Sequence, residues 1–269
     1  MSAVELRRSV DVTMKEFQVL RFVEKGGSPT FSSYAVPVKK GMTVNDALFY
    51  VKEQVDGSLA WRVSCRMGIC GSCGMMINSK PRLACQTQVL ELEGDTVKIE
   101  PLSNYPVIKD LVVDMTDLYR KHKAVKPYVI RNGEEQENPT REYMQRPQEM
   151  EEYLQFSYCI MCGLCSAACP VLATDGRFIG PQALGQAYRY YADNRDDGGD
   201  IRLCVVDESH GLWRCHFAGS CSYVCPKGVD PALAIQLLRK AVVRKSLGLR
   251  GHRKVLAQVA PRVWLHHAE

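Results

Sequence analysis

Eleven of the twelve cysteines in this 269-residue chain fall into runs whose spacing carries chemical meaning. Cys65, Cys70 and Cys73 follow C-x4-C-x2-C, and Cys85 stands beyond a gap of eleven residues. Cys159, Cys162, Cys165 and Cys169 follow C-x2-C-x2-C-x3-C, with Pro170 next. Fifty-six residues on, Cys215, Cys221, Cys225 and Pro226 repeat that second template, except that Ala218 stands where its second cysteine belongs. Thiols this dense either pair as disulfides or ligate metal. The N-terminus offers no apolar leader: Arg7–Arg8 is followed by Asp11, Lys15 and Glu16 where an export signal needs a greasy stretch. The expectation is therefore a reducing compartment, in which clustered thiols serve as metal ligands.

The first spacing is the plant-type [2Fe–2S] pattern. Thiolate sulfur donates charge to ferric iron, and a compact loop is needed because both irons sit within one turn of chain. Gly68, Gly71 and Gly74 interleave the ligands, letting backbone N–H groups turn toward sulfur without a Cβ in the way. A structural zinc site is the alternative, but zinc usually takes two separated C-x2-C pairs; a four-residue gap and an isolated fourth cysteine fit iron better.

The second spacing is the bacterial two-cluster run, in which the fourth cysteine ligates the other cluster. Cys159, Cys162, Cys165 and the distant Cys225 then supply four thiolates, enough for a [4Fe–4S] cube. Cys169, Cys215 and Cys221 supply three. An alanine methyl cannot ligate iron, so one corner of the second cage has no protein ligand. That corner either carries an exchangeable iron or is empty, giving [3Fe–4S]; the lack of any substrate-pocket signature favours the empty corner. Cys204 is left over and reads as a small buried hydrophobe.

Elements must position these thiols. Segments 11–23 and 31–38 read as strands, with Val12, Met14, Phe17, Val19, Tyr34 and Val36 as apolar positions. Thr43 and Asp46 form a capping-box pattern for a helix whose buried side holds Ala47, Leu48, Tyr50 and Val51. Residues 96–100 read as a closing strand. Residues 131–152 carry seven glutamates with Asn132, Gly133, Pro139 and Pro147, a solvated connector or exposed entry helix. Helices follow over 181–192 and 231–247. Length predicts two domains. A hydrophobic content of 46% permits a core without disulfides, and a net charge of +5 makes no case for nucleic acid. No run of eighteen apolar residues exists to span a bilayer.

Beyond spacing, four stretches carry a resemblance: Ser64-Cys-Arg-Met-Gly-Ile-Cys-Gly-Ser-Cys-Gly74, Lys109-Asp-Leu-Val-Val-Asp-Met115, Phe178-Ile-Gly-Pro181 and Cys225-Pro-Lys-Gly-Val-Asp-Pro231. With them the chain resembles, over about residues 12–245, the iron–sulfur subunit of succinate dehydrogenase and quinol:fumarate reductase. The resemblance implies an α+β chain: a β-grasp [2Fe–2S] domain over 1–118, a connector over 119–145, and a helical two-cluster domain over 146–269. It implies a flavoprotein partner carrying FAD, where succinate and fumarate interconvert, and a membrane anchor holding quinone, often with haem. It places the chain as a peripheral subunit on the cytoplasmic face of the membrane, with the Cys65 domain toward the flavoprotein and the [3Fe–4S] end toward the membrane. It carries quinone contacts onto Pro170 and His216. The family's tryptophan pair is replaced by Ala173 and Thr174, and a lysine by Arg239, so the pattern is nearer the fumarate reductase branch, which works with menaquinone.

Other residues are read as follows. His216 is a proton relay to quinone or a donor to cluster sulfur. His122, His210, His252, His266 and His267 read as surface residues without partners. Tyr188, Tyr190 and Tyr191 read as packing. From Arg239 onward the tail holds eight Lys/Arg and one acid, with Trp264 and Leu265 near its end, a composition suited to an anionic membrane face or to a solvated helix. A free-standing ferredoxin carrier, a zinc adaptor and a thiol-dependent fumarate reductase subunit are the competing functions. The length and the basic tail argue for a fixed subunit.

Overall fold

Thr13–Arg21 (β1) and Thr30–Val38 (β2) alternate inward and outward side chains, as half-buried strands must. They pair antiparallel, Phe17 opposite Tyr34 and Val19 opposite Ser32. The computed structural model describes residues 12–22, 28–131 and 133–249. These divide into two units, one reaching to Leu102 and including Val107–Val113, the other formed by Ser103–Pro106 and the chain from Asp114 onward.

In the first unit the Thr43 capping box forms as expected and starts Val44–Gln54 (α1): the Thr43 hydroxyl accepts from Asp46 N at 3.2 Å, and Asp46 Oδ2 accepts from Thr43 N at 2.9 Å. Val44, Ala47, Leu48 and Val51 are buried, while Tyr50 is only half-buried, one step round the helix from that stripe. Gly74–Ile77 (β3), Lys80–Leu83 (β4) and Thr96–Glu100 (β5) complete a mixed sheet ordered β2-β1-β5-β3-β4. Residues 96–100 thus do not close an edge. They form the central strand, parallel to β1 and antiparallel to β3, with Val97 and Ile99 fully buried. The period of two also corrects the reading of β1: Val12 and Met14 face solvent, and the buried positions are Lys15, Phe17, Val19 and Arg21. Two cations on an inner face need partners. Lys15 Nζ donates to the carbonyls of Leu92 and Gly94 at 2.9 and 2.7 Å. Arg21 donates to Asp110, Asp56, Tyr34 and Ser58. Asp110 lies between the short strands Val107–Lys109 (β6) and Val112–Val113 (β7) and is itself fully buried.

The second unit is helical: Thr116–Ala124 (α2), Gly133–Glu137 (α3), Pro147–Glu151 (α4), Leu154–Ser157 (α5), Leu164–Ala167 (α6), Pro170–Thr174 (α7), Pro181–Tyr191 (α8), Gly199–Val206 (α9), Ser220–Tyr223 (α10) and Pro231–Ser246 (α11). The connector over 131–152 therefore contains two short, mainly exposed helices. The two long helices α8 and α11 pack together, with Phe156, Phe178, Leu184, Tyr188, Leu212, Ile235 and Leu238 in the core. Both begin with proline at the first position, where its missing N–H costs nothing. Tyr188 stacks edge-on against Phe156 at 5.0 Å, so it packs as expected. Cys204 corrects its own reading: on α9 the buried positions are Gly199, Arg202, Leu203 and Val206, spaced i, i+3, i+4, i+7, which leaves Cys204 exposed. The tail from 250 onward, with His252, Trp264, Leu265, His266 and His267, lies outside the described residues.

Candidate metal centres

Between α1 and β3 the chain turns tightly enough that backbone donors converge on one sulfur. Cys65 Sγ accepts from the N–H groups of Met67 at 3.4 Å, Ile69 at 3.3 Å and Cys70 at 3.3 Å, and Cys65 N donates to Cys70 Sγ at 3.5 Å. Arg66, Gly68 and Gly71 take left-handed backbone angles to achieve this, whereas Gly74 simply opens β3. The Arg66 guanidinium stacks over the Phe49 ring at 4.2 Å, anchoring the loop to α1. Cys73 and Cys85 are buried, Cys65 is half-buried and Cys70 is exposed. The Ser72 hydroxyl and the amides of Cys65 and Ser72 hold the Cys70 thiol down to about 6, so it is available as thiolate, the form that ligates metal. Burial pushes Cys73 up to about 12, so a metal ion binding at that sulfur must displace its proton.

In the helical unit the two copies of the cysteine template share a backbone. Met161 and Phe217 both have positive φ, 52° and 57°. Gly163 and Gly219 sit at φ 80° and 75° and cap the matching one-turn helices α6 and α10. Each copy walls a cavity. The first is lined by Cys159, Cys162, Cys165 and, from the other copy, Cys225. The second is lined by Cys215, Cys221 and, from the first copy, Cys169, with Ala218 on its wall. Cys225 thus lies on the wall of the first cavity and Cys169 on the wall of the second. Among the described residues no three His, Cys, Asp or Glu side chains are grouped to hold a single metal ion. The thiols line the walls of the two cavities. Burial pushes Cys162 up to about 12 and Cys221 up to about 11, and raises Cys159, Cys165, Cys169 and Cys225 as well.

Pro170 and His216 both line the second cavity and are exposed. Arg239 is not among its lining residues. Its guanidinium donates to the carbonyls of Leu212 at 2.9 Å and Cys215 at 2.6 Å and lies 5.6 Å above the Trp213 ring, so it holds the Cys215 loop from behind.

A 2Fe-2S iron-sulfur cluster binding domain matches residues 16–120, and a 4Fe-4S dicluster domain matches residues 155–229. The fumarate reductase iron-sulfur subunit of Mycobacterium tuberculosis is 48% identical over 78% of this chain and 84% of its own length. The chain belongs to the iron–sulfur subunits of fumarate reductase and succinate dehydrogenase. The Haemophilus influenzae fumarate reductase subunit is 45% identical over 81% of this chain, and the Paracoccus denitrificans succinate dehydrogenase subunit 39% identical over 86%. A solved structure, the Mycobacterium smegmatis Sdh1 complex in the apo form, superposes with a TM-score of 0.80 at 25% identity, covering 88% of this chain and 98% of that one. As an iron–sulfur subunit of this family, the chain carries a β-grasp [2Fe–2S] domain and a helical [4Fe–4S] dicluster domain and serves electron relay. Among the described residues no helix is long and apolar enough to cross a membrane.

Several residues that shape the centres gave no sequence signal. Asn104 Nδ2 donates to the carbonyls of Ser166, Ala167 and Cys169 at 2.9–3.1 Å, closing the end of α6. Tyr105 Oη donates to Gly163 O at 3.1 Å. His122 and His210, read as surface residues without partners, have them: His122 Nδ1 lies 3.1 Å from Gln182 Nε2, and His210 Nδ1 lies 2.9 Å from Asp175 Oδ2. Each of these partners lies far off in the chain, where no local pattern reaches.

Proposed function

We propose that the chain relays electrons between an FAD-carrying flavoprotein and a quinone held by a membrane anchor, through [2Fe–2S], [4Fe–4S] and [3Fe–4S] centres in that order. The ligands assigned are Cys65, Cys70, Cys73 and Cys85 for the first, Cys159, Cys162, Cys165 and Cys225 for the second, and Cys169, Cys215 and Cys221 for the third. When bound, such clusters supply one-electron redox chemistry at potentials set by ligation, hydrogen bonding and burial. The observation that carries the reading is the second cavity: it keeps the left-handed turns of its twin and three thiols on its wall, yet presents the methyl of Ala218 where the fourth thiol would be.

The protein's own contribution is to hold and shield. Met67, Ile69 and Cys70 amides stabilise charge on Cys65 sulfur. Burial around Cys162 and Cys165 raises the cost of a free thiolate there. His216, exposed beside Cys215, is placed to pass a proton through its imidazole to a bound quinone, with Pro170 shaping the same wall, while Arg239 fixes the Cys215 loop through its carbonyl. The complex works on the fumarate–succinate pair, sits on the cytoplasmic face of the membrane, and belongs to the fumarate reductase branch. Higher identity to fumarate reductase subunits, 48% and 45% against 39%, supports that branch.

The test is a redox titration followed by EPR on anaerobically purified complex, with metal analysis. Three distinct centres and no stoichiometric zinc are expected. Ala218→Cys should replace the [3Fe–4S] signal, visible when oxidised, by a second [4Fe–4S] signal visible when reduced, and add one iron per chain. A wild-type protein without an oxidised-state cluster signal refutes the third centre.

A further inference from the structure

The first cavity of the helical unit contains a polar group that cysteine ligation does not explain. Gln182, the second residue of α8, is 3% exposed and lines the cavity beside Cys159. Its Nε2 lies 3.1 Å from His122 Nδ1 on α2 and 3.9 Å from Cys159 Sγ. Its Oε1 is buried with no hydrogen-bond partner. A leucine would fill the same space without leaving a buried oxygen unpaired, so the two N–H donors are what glutamine adds. The fold does not require them. At the start of α11 the same pattern of proline followed by a buried residue recurs as Pro231–Ala232, and Ala232 lines the second cavity with a methyl.

The orientation of the carboxamide, with Nε2 toward His122, calls for the neutral tautomer whose Nδ1 is unprotonated. A neutral histidine with an unprotonated Nδ1 accepts and does not donate there. Rotating the amide would set Oε1 against that lone pair and against the sulfur together. With Nε2 inward, one N–H goes to His122 and the other to Cys159. A donor aimed at a ligating sulfur stabilises the cluster state with more negative charge, which raises its potential.

We propose that Gln182 is a positioning residue that hands an N–H to the Cys159 sulfur, that His122 locks the amide in that orientation, and that the pair raises the potential of the [4Fe–4S] centre. This rests on the ligand assignment above. It calls for no new ligand and no change in electron order.

The experiment is an EPR-monitored redox titration of the assembled complex carrying Gln182→Leu or His122→Leu. In Gln182→Leu the [4Fe–4S] midpoint should fall by about the equivalent of a tenfold change in the reduced-to-oxidised ratio, ~59 mV for one electron, while the [2Fe–2S] midpoint stays put. In His122→Leu it should fall in the same direction by less. If Gln182→Leu assembles no [4Fe–4S] centre, His122→Leu decides alone: a lower midpoint supports the proposal and a wild-type midpoint overturns it. Wild-type midpoints in both variants overturn it while leaving the three-centre reading intact. Absence of a [4Fe–4S] signal in the wild-type complex removes the reading itself.

Discussion

Gly163 and Gly219 occupy the same place in the two cysteine templates and differ in what surrounds them. Both sit in the left-handed region, where a Cβ costs about 1–2 kcal/mol. A Cβ on Gly219 would meet nothing within 4 Å, whereas on Gly163 it would fall 2.7 Å from Tyr105 Oη and 2.9 Å from the Met115 methyl. Gly219→Ala should therefore lower stability by about 1–2 kcal/mol and retain its cluster. Gly163→Ala should cost more and displace Tyr105, as thermal melts and iron content of the two variants will show. At this scale the cysteines announced themselves, because ligation imposes spacing on the chain, and Ala218 was legible as a gap in a repeated template. Gln182, Asn104 and Tyr105 were not, because nothing within a few residues of them constrains their type. Cys204 misled for a related reason: cysteine is commonly buried, and only the helix phase of α9 says that this one is not.

Single elements explain the next layer. The α1 capping box and the strands β1 and β2 could be read from local pattern, but the central position of β5 could not, since its neighbours β1 and β3 lie back along the chain. The same is true of the Arg21–Asp110 pair, which ties β1 to the turn between β6 and β7. Asp110 also accepts from the amides of Phe22 and Ala60. Asp110→Ala leaves a buried guanidinium and two amides short of an acceptor, and should destabilise the first unit by about 3–5 kcal/mol, read by urea unfolding of the intact protein. A pH effect belongs to the α2–α8 contact. Burial holds the His122 ring below the ordinary histidine value of 6.5. As pH falls through 6.5 the unfolded chain takes up a proton that the folded chain refuses, so stability is full above that value and declines below it. His122→Gln lacks this liability. Its melting temperature should gain on wild type between pH 7.5 and 5.5, and a constant gap would contradict the argument.

The lengths of their elements predict that the two units of the molecule depend on iron to different degrees. The sheet unit has an apolar interior of its own, with Phe17, Val19, Val36, Leu48, Val97 and Ile99 fully buried. The helical unit places its clustered cysteines within or beside helices of four or five residues, α5 to α7 and α10, far below the length at which a helix holds itself together. Those turns owe their order to packing and to what their thiols grip. Stripping iron with an anaerobic chelator should therefore abolish amide-exchange protection in α6, α7 and α10 first, leaving β1 and β5 protected. Equal loss in both units would show that the helical unit stands without its clusters.

The crossed cysteines set a timetable for biosynthesis. Cys169 belongs to the wall of the cavity built around Cys215 and Cys221, and Cys225 to the one built around Cys159, Cys162 and Cys165. A ribosome that has released everything as far as Cys169 has finished neither. On the proposed ligand sets the second cage has its three thiols once Cys221 has emerged and the first waits for Cys225, so iron loading of this half would be a late event, and a nascent chain stalled before Cys225 would present Cys159, Cys162 and Cys165 without their fourth partner to whatever oxidant it meets.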